Sequence, residues 1–138
     1  MKKLIYNGFG FQIILKGVKT FQFRGETLPK INHRELEDMV FKALLRYPAH
    51  FSGAHLSFVR GYMNLSQKKF ASILGLSTHA TISGWECKKD RATGMPATTE
   101  VVIRLLMADF IGDNKFAPHF KEFLEIHALP IDLEMKVA

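Results

Sequence analysis

Leu65-Ser66-Gln67-Lys68-Lys69-Phe70-Ala71-Ser72-Ile73-Leu74-Gly75-Leu76-Ser77 is the stretch that decides how this chain reads. Ser66 is placed to cap a helix whose buried positions are Phe70, Ala71 and Leu74, spaced one, three and four residues apart. Ala71 is small where a crossing helix must come close, and Gly75 can take the left-handed conformation that turns the chain sharply. Leu76 then fills the core, and Ser77 or Thr78 caps a second helix expected from about Thr78 to Glu86. That helix buries Ile82 and Trp85 and turns Thr78, His79, Thr81, Ser83 and Gly84 outwards. A solvated helix face normally carries Glu and Lys. Small hydroxyls, one His and one Gly suit close approach in a DNA major groove, where hydroxyls donate to or accept from base edges and phosphates. The alternative is a plain surface helix.

Leu65-Ser66-Gln67-x-x-Phe70-Ala71-x-x-Leu74-Gly75-Leu76-Ser77, followed by Thr81-Ile82-Ser83-x-Trp85-Glu86, resembles the Xre (Cro/CI, lambda-repressor-like) helix-turn-helix signature in residue type and order. One residue more than the commonest family spacing lies between Ser77 and Trp85. This leaves open which of Thr78, His79 and Ala80 faces DNA. The resemblance implies that Gln67 contacts a phosphate or braces the recognition helix. It also implies that Thr78, His79, Thr81 and Ser83 face base edges or nearby phosphates, and that Lys88, Lys89 and Arg91 touch the backbone. For those last three the other reading is a solvated basic loop. Trp85 is implied as core and Glu86 as partner of a neighbouring cation or amide. Arg60 is open between a phosphate anchor and a helix-surface residue.

Working outwards, residues 4–28 read as short strands: Phe11 to Leu15 is apolar, Lys16-Gly17 can turn, and Phe21 and Phe23 alternate with Gln22 and Arg24. A small antiparallel hairpin or meander is expected. Asn32, with Glu35 three residues on, opens a helix whose stripe is Leu36, Met39, Val40, Ala43 and Leu44, ended by Tyr47-Pro48. Ala49 to Gly53 reads as a linker, and Leu56, Val59 and Met63 line the next helix. Lys88 to Pro96 is a loop. The helix from about Thr98 to Ile111 is apolar nearly all round, Arg104 and Asp109 being the exceptions, so two buried sides are expected. Pro118 suits the start of a last helix in which Phe120, Phe123, Leu124 and His127 share a face. The expected class is mainly α with a small N-terminal β element (α+β), including a helix-turn-helix domain of about five helices. Its segments are 1–50 (dimerisation or partner binding), 54–111 (DNA binding) and 112–138 (helix and tail).

The charge balance agrees with an anionic partner. Nineteen Lys and Arg against 13 Asp and Glu leave +6, and the pI is near 9.6. Composition does not separate nucleic acid from an anionic membrane or an acidic protein. Cys87 is the only cysteine, so an intrachain disulfide is excluded and an intracellular (cytoplasmic, nucleoid-associated) protein is expected. Asn7, Gly8 and Gly10 interrupt the N-terminus before a signal-peptide core forms, and no apolar run approaches the roughly 20 residues that span a bilayer. Gly8-Phe9-Gly10 lacks the third glycine of a dinucleotide site. His33, His50, His55, His119 and His127 show no metal-ligand spacing, so neither metal nor cofactor is expected. Glu35, Glu37 and Asp38 suit a helix start better than a catalytic pair. No enzyme is expected.

The expected function is sequence-specific DNA binding as a homodimeric transcriptional repressor, two recognition helices about 34–36 Å apart reading a palindromic operator. Tyr6-x-Gly8-x-Gly10, a strand run, a helix near Leu36 and Gly53-x-x-Leu56-Ser57-Phe58-Val59-Arg60 are also similar to HigA/MqsA-type antitoxins, without the paired cysteines of zinc-bearing members. That resemblance implies a toxin partner and an autoregulated operon. Two alternatives stay open: a module that neutralises a toxin through its N-terminal strands with DNA binding secondary, and an orphan or phage-type regulator.

Overall fold

In the computed structural model, which describes residues 3–137, the fold is mixed α and β and divides into two compact units. One comprises residues up to 44 together with 132 onwards; the other spans Leu45–Ile131. The boundaries therefore differ from the three sequential segments expected.

In the first unit, β1 (Lys3–Tyr6) pairs antiparallel with β2 (Ile13–Lys16), as the apolar run predicts. The sheet is completed by β5 (Leu133–Lys136), which runs parallel to β2 in register Ile13↔Leu133 and Leu15↔Met135. The tail is thus a strand. Its signal was the alternation of Leu133 and Met135 with Glu134 and Lys136, since side chains of a strand point to opposite faces in turn. Ile13, Leu15, Leu133 and Met135 are buried, and the opposite face carries a Lys16–Glu134 ion pair at 2.7 Å.

β3 (Thr20–Phe23) and β4 (Glu26–Pro29) form a separate hairpin. Its turn residues, Arg24 (φ 49°) and Gly25 (φ 80°), are both left-handed, the geometry of tight hairpin turns whose twist matches the strands. α1 (His33–Leu45) starts where the Asn32 side chain accepts the amides of Arg34 (2.8 Å) and Glu35 (3.4 Å). Leu36, Val40 and Leu44 of the expected stripe are buried, joined by Phe41 and Leu45, while Met39 and Ala43 are half-buried.

The second unit holds α2 (Gly53–Tyr62), α3 (Gln67–Ile73), α4 (Ala80–Glu86), α5 (Ala97–Ile111), a single 3₁₀ turn (Ala117–His119) and the short α6 (Lys121–Leu124). Four α-helices, not five, lie between Gly53 and Ile111. The last helix is reduced to that 3₁₀ turn and α6, so Phe120 and Phe123 are half-buried while Leu124 and His127 are exposed. Residues 49–53 are no linker: Ala49, Phe51, Ser52 and Gly53 are buried, and Ser52 caps α2 in a reciprocal box with His55.

α5 departs most from expectation. Arg104 is wholly buried, and both of its terminal nitrogens find acceptors inside the fold, as a buried guanidinium requires. It donates to the carbonyls of Leu45 (2.9 Å) and Ala49 (3.0 Å), pairs with Glu100 (3.3 Å), and lies against the rings of Phe51 and Phe123 at 4.4 and 4.8 Å. Glu100 in turn accepts the Phe51 amide at 3.1 Å. The other side of α5 is not buried, leaving Val102 and Phe110 exposed. The Tyr47 hydroxyl bonds both the amide and the carbonyl of Ile131, closing the unit on itself.

His55 is 3% exposed, accepts the Ser52 amide on Nδ1 and packs edge-on to Tyr47. Burial, and secondly the Arg104 charge, push its pKa from 6.5 to about 4. The folded state thus favours the neutral ring. Stability is whole above the unfolded pKa and falls as pH drops from 6.5 towards 4, by about 3 kcal/mol in all, because the unfolded chain takes up a proton that the folded chain refuses. Urea denaturation of wild type and His55→Gln between those pH values should show the variant's stability falling less; parallel pH profiles would remove His55 as the cause.

Candidate nucleic-acid interface

α3 ends in a two-bond turn: the Leu76 amide donates to Ala71 (2.9 Å) and the Gly75 amide to Ser72 (3.1 Å), with Gly75 at φ 72°. This is the glycine cap that reverses a chain after a helix and satisfies its last carbonyls. Asn64 (φ 57°) does the same after α2, where Leu65 and Asn64 donate to Arg60 and Gly61. Ser66 caps α3 through the Lys69 amide at 3.0 Å. Two sharp turns in succession bring α2, α3 and α4 together, and both α2 and α3 pack on α4.

The three helices are pinned by one carboxylate. Arg60 of α2 grips Glu86 of α4 with Nε at 2.7 Å and Nη2 at 3.0 Å, while its Nη1 donates to the Leu65 carbonyl at 2.8 Å. Gln67 of α3 donates to the same carboxylate at 3.3 Å. The Glu86 side chain is only 9% exposed, and its hydrogen bonds and charge raise the Arg60 pKa. Gln67 is therefore seated to brace α4, Glu86 has its cation, and Arg60 is engaged inside the fold.

A second constraint is steric. A Cβ on Gly53 would lie 2.6 Å from the carbonyl oxygens of Trp85 and Glu86 and 2.7 Å from the Lys89 amide, all backbone atoms. The start of α2 therefore abuts the end of α4. Hydrogen bonds lace the two: Gly53 and Ala54 amides donate to Arg91 (3.1 Å) and Lys89 (2.8 Å), and Thr93 donates to Phe51 (3.2 Å). The loop with Lys88, Lys89 and Arg91 is thereby a fixed edge, all three side chains exposed and Lys89 left-handed at φ 56°.

α4 begins at Ala80, two residues later than expected. His79 stands at its N-cap with helical dihedrals and no side-chain cap, while the Thr78 hydroxyl accepts the Ala80 amide at 3.2 Å. Thr78 and His79 are exposed, and Thr81 and Ser83 are half-buried. Ala80 and Gly84, four apart, are exposed as well, Gly84 as the sequence reading expects. Ile82 is buried, but Trp85 is half-buried rather than core, since it is its backbone carbonyl that meets α2. The exposed face thus joins small residues of α4 to the basic loop, with Lys68 and Lys69 exposed on α3. Among the described residues no three His, Cys, Asp or Glu side chains group as metal ligands, and no helix is long and apolar enough to cross a membrane.

Gly53→Ala should cost about 2–3 kcal/mol, the upper range for forcing a group into packed backbone; an unchanged denaturation midpoint would show the two helix ends to be further apart in solution. Glu86→Ala should cost about 2–3 kcal/mol, because it strands a half-buried Arg60. Adding Arg60→Met should recover part of that loss, and strictly additive losses in a double-mutant cycle would mean the pair is not coupled.

The chain matches no protein-family model, no curated protein and no solved structure.

Proposed function

We propose that the α2–α4 region is a sequence-specific reader of duplex DNA in the helix-turn-helix manner and that the chain is a transcriptional repressor. The observation that carries this reading is the outward face of α4, whose small exposed residues adjoin a basic loop fixed by backbone hydrogen bonds. Close approach to base edges needs small side chains, and register on the duplex needs phosphate contacts from a rigid edge. In this reading Thr78 and His79 meet bases at the start of α4, Thr81 and Ser83 lie at the border of the contact, and Lys88, Lys89 and Arg91 bind phosphates. Gln67 and Glu86 position α4. The likeness of the 65–86 stretch to the Xre signature supports the same reading. A homodimer is part of it, and the exposed Val102 and Phe110 of α5 are the surface we assign to a second copy.

A second reading, toxin neutralisation by an antitoxin, is favoured by the β3–β4 hairpin. Phe21 and Phe23 are 44% and 53% exposed on one face of a two-stranded sheet, a surface that a partner protein would cover. Co-purification with the product of the neighbouring gene tests it.

Binding to the DNA upstream of the chain's own gene should exceed binding to a scrambled duplex of equal length. Three phosphate contacts from each of two protomers predict a slope of log affinity against log salt of about −5, reduced in magnitude by roughly 2 for each cation pair removed at Lys88, Lys89 or Arg91. His79→Ala should weaken specific binding while changing stability by no more than about 0.5 kcal/mol. Equal, weak binding to both duplexes would overturn the reading.

A further inference from the structure

Beside the buried Arg104, in the same helical unit, a cleft of about 550 Å³ is lined by Arg46, Lys115, Phe116, His119, Glu122 and Phe123. Its volume lies in the range of small-molecule sites. The apolar part is a ring pair, Phe116 and Phe123, with centroids 4.9 Å apart and planes tilted by 40°. Phe116 is buried, so Phe123, half-buried, is the ring left to meet a third one edge-on or offset. The Arg46 guanidinium stands 6.0 Å above Phe116 and gives Nη1 to Asp113 at 2.7 Å, and Lys115 is a second cation of the lining.

Asp113 is fixed as a carboxylate, its pKa drawn down to about 2 by the bond from Arg46 and then by the Lys115 amide. Glu122 lines the cleft as well, so that with Asp113 two carboxylates balance the Arg46 and Lys115 cations. A doubly charged phosphate has no net attraction to such a site, whereas a molecule carrying one charge of each sign is complementary to it. We infer that this cleft binds an amino acid with an aromatic side chain: its carboxylate on Lys115 and Arg46, its ammonium on Glu122, and its ring on the half-buried Phe123, which the buried Phe116 backs.

The cleft has a route to the basic loop. Phe123 lies on the Arg104 guanidinium, which holds the carbonyls of Leu45 and Ala49 on either side of Arg46's segment; Glu100 continues to the Phe51 amide, and Phe51 accepts from Thr93 next to Ala92 and Arg91. Occupancy therefore regulates DNA affinity, a consequence that rests on the DNA-binding reading. The site itself does not depend on it.

Calorimetric titration of the full chain with L-phenylalanine and L-tryptophan, without DNA, tests the site. Saturable binding is expected, weakened at least about tenfold by Lys115→Glu and by Glu122→Lys, with circular dichroism verifying that both variants fold. Lack of saturation up to about 10 mM, or binding that both variants retain, would overturn the site. Equal affinity for 3-phenylpropionate, which lacks the ammonium, would overturn the role of Glu122 and with it the amino-acid assignment. A DNA titration with and without bound amino acid then reads the coupling: a shift of about threefold or more is expected, reciprocal in the two ligands. An amino acid that binds without moving DNA affinity overturns the regulation alone. A chain with no specific DNA binding in either condition fails the earlier reading and leaves the calorimetric result standing.

Discussion

Almost everything about the candidate interface depends on the Glu86 carboxylate being held from two directions. Arg60 reaches it from α2 and Gln67 from α3, so a single acidic side chain fixes the relative placement of three short helices. α3 and α4 have only seven residues each, too short to be stable alone, and must take their stability from tertiary contact. A nearly buried carboxylate is costly unless it is paired and hydrogen-bonded, which makes the arrangement specific: displacing α2 or α4 strands a charge, and displacing α3 removes a donor from the carboxylate. Gly53 adds the steric counterpart, since only a residue without Cβ lets α2 begin against the last carbonyls of α4.

The same unit contains a second polar construction with a different role. Arg104 and Glu100 occupy one helix four residues apart and tie α5 to the irregular segment 45–51. That segment has no regular partner strand, so its carbonyls and amides need side-chain donors and acceptors, and a planar guanidinium supplies several at once. Burial lowers the Arg104 pKa, and Glu100 opposes that shift. His55, neutral and caged nearby, completes the capping of α2. The path from the 45–51 segment through Phe51 to residues 91–93 explains why the basic loop is an ordered edge.

Much of the candidate site was legible in the chain. The Ser66 cap, the buried Phe70 and Ala71, the Gly75 reversal and the exposed basic residues follow from local rules about caps, helical spacing and left-handed dihedrals. Glu86 was legible as the partner of a cation, though which cation was not. Arg60 stayed open between two uses because an arginine at that spacing serves phosphate or carboxylate equally well. The start of α4 was read two residues early, since Ser77 and Thr78 are both good caps, and the Thr78 hydroxyl does accept the Ala80 amide although the helix begins only at Ala80. Trp85 was placed in the core with Ile82 and by the resemblance, whereas its side chain is only half-buried.

What the sequence determined by itself is the set of short-range choices: two helices with a glycine turn, a capped α1 and an apolar β2; the N-terminal turn was read at Lys16-Gly17, whereas the β3–β4 hairpin turns at Arg24-Gly25. These depend on residues within one or two turns of each other, where propensity and periodicity act directly. Tertiary structure alone decided the long-range ones. The pairing of β5 with β2 joins residues 120 apart, and a four-residue alternation has no local preference for a partner strand. The burial of Arg104 likewise depends on carbonyls 55 and 59 residues away, so helical periodicity could only mark it as an exception on an apolar helix. Charge is satisfied wherever the fold provides partners, and partners distant in sequence are invisible to a reading that proceeds along the chain.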